Sequence, residues 1–86
     1  MANRTVRVSD LSSHIGEYIE FDFSFGWGDT QMMRGYLHGL SPHADGYMDY
    51  LHISDEPKLR KGQRGIDMGG YAMAYSDSVE IIEPPR

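Results

Sequence analysis

The chain has 86 residues, no cysteine and a formal net charge of −5. That length supports a single domain, residues 1–86, burying only about 60% of the surface its unfolded form exposes. The missing cysteines exclude a disulfide framework and a thiolate metal site and point to a cytoplasmic setting, while the negative field disfavours unspecific binding to a phosphate backbone.

At the N-terminus, Arg alternates with Val or Thr and no continuous apolar run occurs, so neither a signal peptide nor a membrane span is expected. Residues 5–8 read as a first strand with Val6 and Val8 on one face. Ser9 and Asp10 are candidate N-caps for a short helical turn over 11–15, which Gly16 ends. The strongest signal follows. Over residues 17–25, Ile19, Phe21, Phe23 and Phe25 alternate with Glu20, Asp22 and Ser24, the pattern of a half-buried strand. Residues 26–29 then form a turn that carries Trp27, the one tryptophan.

Residues 30–40 are expected to form a third strand in which Gly35 and Gly39 permit a bend or bulge. A turn cluster over 41–46 leads to a returning strand over 47–53. A long basic loop, 54–65, comes next, with Pro57, Gly62 and Gly65 and no sustained period. Residues 71–75 are extended, Ser76-Asp77-Ser78 turns the chain, and residues 79–82 close it. Pro84 and Pro85 end the last strand, leaving a proline-rich tail over 83–86.

Five or six short strands, one helical turn and no long helix close most economically as a small, strongly bent all-β barrel. The segment Gly35-Tyr36-Leu37-His38-Gly39-Leu40, leading into Ala44-Asp45-Gly46-Tyr47-Met48, resembles the first Sm motif, and the element order is similar to that of the SH3-like and Sm-like small barrels. The resemblance implies that fold and a ring-like assembly. Sm-type RNA binders hold a base with an Asp and an Asn near the hairpin turn, and this chain has no Asn after Asn3.

Four features are candidates for function. Trp27 sits between two glycines in a turn, either displayed as a contact residue or folded back over the end of the barrel. Tyr71, Met73 and Tyr75 share a strand face, with Ala72 and Ala74 opposite. If the alanines face the interior, the larger stripe is displayed and needs a partner. Lys58, Arg60, Lys61 and Arg64 crowd one loop, which suits an acidic protein surface, a phosphate group or solvent alone. His38, His43 and His52 with Asp45 are a conceivable zinc set, but none of the recognised close-spaced ligand pairs is present and no metal site is expected.

Catalytic motifs are absent: no G-x-S-x-G, no H-E-x-x-H and no dinucleotide fingerprint. The sequence therefore reads as a non-enzymatic protein-binding or assembly module, without cofactor, forming a homo-oligomer through its Tyr- and Met-rich surface. The alternatives are a nucleic-acid-binding barrel, in which aromatics stack on bases and Arg60, Lys61 and Arg64 track the backbone, and a binder of a small anion such as a nucleotide between subunits.

Overall fold

The computed structural model describes residues 3–85. Six strands, β1 (Arg4–Arg7), β2 (Tyr18–Ser24), β3 (Thr30–Pro42), β4 (Met48–Ser54), β5 (Gly70–Ala74) and β6 (Ser78–Ile81), form one antiparallel sheet in the order β1-β6-β2-β3-β4-β5. Two 3-10 helices, η1 (Val8–His14) and η2 (Gly65–Asp67), interrupt them. No ladder joins the two outer strands, β1 and β5. Met1, Ala2 and Arg86, including the last residue of the proline-rich tail, lie outside the described residues. Among the described residues no helix is long and apolar enough to cross a membrane.

The alternation in β2 does what its period requires. Ile19 and Phe21 are buried while Asp22 and Ser24 are exposed, because successive side chains of a strand leave on opposite faces. Ile19 and Phe21 join Val8, Leu11, Leu37, Leu51, Met73 and Val79 in one core. Tyr71 of β5 meets Phe21 and Phe23 of β2 at ring separations of 5.9 and 5.1 Å. Since β3 and β4 lie between β2 and β5 in the sheet, those contacts require the sheet to curl over its core.

Helix η1 differs from the expected turn. It starts at Val8, where β1 was expected to continue, and has no side-chain cap, so Ser9 and Asp10 do not act as its N-caps. Burial decides this: with Val8 and Leu11 at 0% exposure, three-residue spacing places both on one side of a 3-10 helix and plugs them beneath the sheet. Each fully buried aliphatic side chain contributes about 1.5–3 kcal/mol relative to exposure. Gly16, at φ +97°, ends the segment in a conformation that glycine adopts without strain, and its amide donates to the Leu37 carbonyl at 2.7 Å.

The long strand β3 pairs with both β2 and β4 and shifts register between Leu37 and Gly39. The bulge releases His38 from the ladder, as expected of an interior glycine site. Gly65 of η2 packs against this bulge so closely that a Cβ there would overlap the His38 carbonyl. That helix was not expected, since three residues leave no periodic signal.

Candidate functional site

Beyond β2, the chain turns through Gly26, Trp27 and Gly28. The Phe25 amide donates to the Asp29 carbonyl at 2.7 Å, and the Gly28 amide donates to the Phe25 carbonyl at 3.0 Å, with Gly28 at φ +96°. Phe25 thus ends outside the strand the sequence assigned it to, and its ring is free to support the turn. Trp27 stacks on it with centroids 5.0 Å apart and planes inclined by 13°. The indole N–H donates to Asp29 Oδ2 at 2.8 Å. Phe25 in turn meets Phe23 edge-on at 5.0 Å, and Phe23 meets Tyr71. An aromatic run therefore leads from the core to the tip of the β2–β3 hairpin. Trp27 at its end is 74% exposed.

The β5 stripe has the opposite orientation to a displayed surface. Met73 is buried in the core, and Tyr71 and Tyr75 pack half-buried against it. The displayed form of the stripe is corrected accordingly: Tyr and Met fill the wide space under a curled sheet, and the small Ala72 and Ala74 take the other face. Tyr75 donates its hydroxyl to Asp49 Oδ1 at 3.2 Å. Desolvation first, then the Asp49 carboxylate, push the Tyr75 hydroxyl above its ordinary range.

The basic loop is tied down at both ends by histidines. His38 Nε2–H donates to the Glu56 carbonyl at 2.8 Å, with Ser54 Oγ at the same distance. His52, buried on β4, donates Nδ1–H to the Met68 carbonyl at 2.7 Å and accepts at Nε2 from Ser41 Oγ at 2.7 Å. A carbonyl can only accept, which fixes the protonated nitrogen in each ring. His43 is occupied elsewhere, beside Asp45 at 3.3 Å and against the Tyr50 ring. The three histidines do not converge, and among the described residues no group of three or more His, Cys, Asp or Glu side chains is placed to hold a metal ion.

The loop also neutralises part of its own charge. Arg60 pairs with Glu56 at 3.3 Å, and Arg64 pairs with Asp67 at 3.1 Å. The Arg64 backbone N–H and then its guanidinium hold the Asp67 carboxyl below the usual carboxylate range. Among the described residues Lys58 and Lys61 have no acidic partner, so two of the four expected cations remain unpaired. The i,i+4 and i,i+3 spacings of these pairs are visible in the sequence. Asp29, which holds the indole, and Tyr47, 76% exposed in the β3–β4 turn, were missed. No pattern singles out either one.

One concavity of about 470 Å³ opens between Tyr18, Tyr36 and Pro84. Arg4 and Glu17 on its wall lie 3.9 Å apart, and Glu83 also lines it, so carboxylates outnumber cations there and an anion is not favoured.

No protein-family model, no curated protein and no solved structure matches the chain.

Proposed function

We propose that this chain is a non-enzymatic protein-binding module whose curled sheet is a small SH3-like or Sm-like barrel and whose contact residue is Trp27. The observation that carries the reading is the combination of 74% exposure with a stacked ring and a satisfied indole N–H. An exposed tryptophan whose orientation is already fixed loses little conformational freedom when a partner covers it, and tryptophan is among the residues that dominate interface energetics. The barrel part rests on the order β6-β2-β3-β4-β5, on the bulged β3 shared by two ladders, and on β2 meeting β5 through Tyr71. A cytoplasmic location belongs to the same proposal, on the absence of cysteine.

The unpaired Lys58 and Lys61, with a flat exposed indole elsewhere on the surface, favour single-stranded nucleic acid as the second reading. The two are separated by one titration set. Because Trp27 is the single tryptophan, its emission reports directly on the tip. A protein partner captured by the native chain, lost with Trp27→Ser and retained at high salt, is the expected result. Quenching by a single-stranded oligonucleotide that disappears as salt rises would replace it with the nucleic-acid reading.

A further inference from the structure

Strand β5 has a free edge, and its hydrogen-bonding groups can be assigned from its register. The Tyr75 amide donates to the Tyr47 carbonyl, and Asp49 and Leu51 stand opposite Met73 and Tyr71. Hydrogen-bonded pairs alternate along an antiparallel ladder, so residues 71, 73 and 75 turn their amides and carbonyls to β4 while residues 70, 72 and 74 turn theirs outward. The bonds at Ala74 agree: its amide takes the Asp77 carboxylate and its carbonyl takes the Asp77 amide. Among the described residues nothing takes the outward groups of Gly70 and Ala72. A cavity of about 460 Å³ lies beside Ala72 and is lined also by Asp22 and Asp77.

We infer that this edge pairs with β5 of a second copy, antiparallel, about a two-fold axis at Tyr71. That register sets Gly70 against Ala72 of the other chain twice over, using every outward group that Asp77 leaves free. Charge fits the same arrangement. The Gly70 end of β5 follows the basic loop with its unpaired Lys58 and Lys61, whereas Asp77 is bonded to Ala74 at the other end and Asp22 lines the cavity beside Ala72. An antiparallel pair brings each loop toward the other copy's carboxylates, an isologous arrangement that closes on itself. The edge lacks the devices that block pairing, having neither charge nor proline within Gly70–Ala74. The other edge has them: β1 carries Arg4 and Arg7, both exposed, in four residues, which disfavours head-to-tail joining of β5 to β1. This inference is independent of Trp27.

The test is solution mass by light scattering over a concentration series, together with hydrogen exchange of the Gly70 and Ala72 amides. The expected results are a dimer and exchange at these two amides that slows as concentration rises. Ala72→Pro removes an outward N–H while leaving the β4 ladder intact, and it should raise the dimer dissociation constant at least about tenfold, the effect of two lost backbone hydrogen bonds. Trp27→Ser should leave the dimer unchanged. Should Ala72→Pro fail to fold, the exposed pair Lys58→Glu with Lys61→Glu replaces it and must weaken the dimer at low salt. A mass of one chain throughout, a larger assembly, a dimer indifferent to both substitutions, or exchange that ignores concentration would overturn the inference. A monomer whose edge takes up an extended peptide from another protein would do so too.

Discussion

The tip of the β2–β3 hairpin and the loop between β4 and β5 are both exposed and both fixed, but by opposite means. At the tip, apolar rings carry the order outward: Tyr71, Phe23, Phe25 and Trp27 form a continuous run whose inner end lies against the core. In the loop, polar clamps impose order from beneath, with His38 on the Glu56 carbonyl and His52 on the Met68 carbonyl. The tip ends in uncovered apolar area. The loop ends in charges, half of which its own carboxylates neutralise. Fixed apolar area is available to a partner with little further ordering, whereas exposed ion pairs contribute typically under about 1 kcal/mol and weaken with salt. This difference is why the tip, rather than the basic loop, is proposed as the contact.

Breaking the aromatic run should give the largest effect. Phe23→Ala removes the ring that links Tyr71 to Phe25, and denaturant unfolding should show a loss of about 3 kcal/mol, toward the lower end for a buried aromatic because Phe23 is only half-buried. Trp27 should also gain mobility in the same variant. A smaller loss, about 1–3 kcal/mol, is expected for Gly65→Ala, whose Cβ would overlap the His38 carbonyl and push η2 off the β3 bulge. Amide exchange should then quicken over residues 56–68 and stay unchanged at 25–29. An equal response in the two segments would mean that they are not held separately.

The pH dependence sharpens the comparison further. The Asp67 carboxyl is depressed in the folded chain, so its bond to Arg64 stabilises the loop above the ordinary carboxylate range and is lost as pH falls through the depressed value. Below about pH 4, amide protection near η2 should fall. Asp67→Asn should abolish that dependence. Tyr75 runs the other way: its hydroxyl is raised, so the contribution of its bond to Asp49 is complete below the ordinary tyrosine range and is lost as pH rises through the raised value.

What the sequence revealed depended on how much of each feature was periodic. The alternation of Ile19, Phe21 and Phe23 predicted β2 because a two-residue period has one meaning when one face is buried. Gly39 marked the bend in β3. The stripe Tyr71, Met73 and Tyr75 was ambiguous, since tyrosine and methionine serve equally at a rim and in a wide core, and only the curl of the sheet turned Met73 inward. Helix η2 was hidden because it rests on one close approach at Gly65 rather than on a pattern. Trp27 was identified as a candidate, but its support was not: Phe25 was assigned to the core of β2, and the short reach from Asp29 to the indole has no sequence signature.

Time-resolved fluorescence of Trp27 with a soluble quencher tests the central claim most directly. The account predicts an indole fully accessible to the quencher whose anisotropy decays at the tumbling rate of the whole domain. An indole shielded from the quencher, or one rotating independently of the domain, would contradict it.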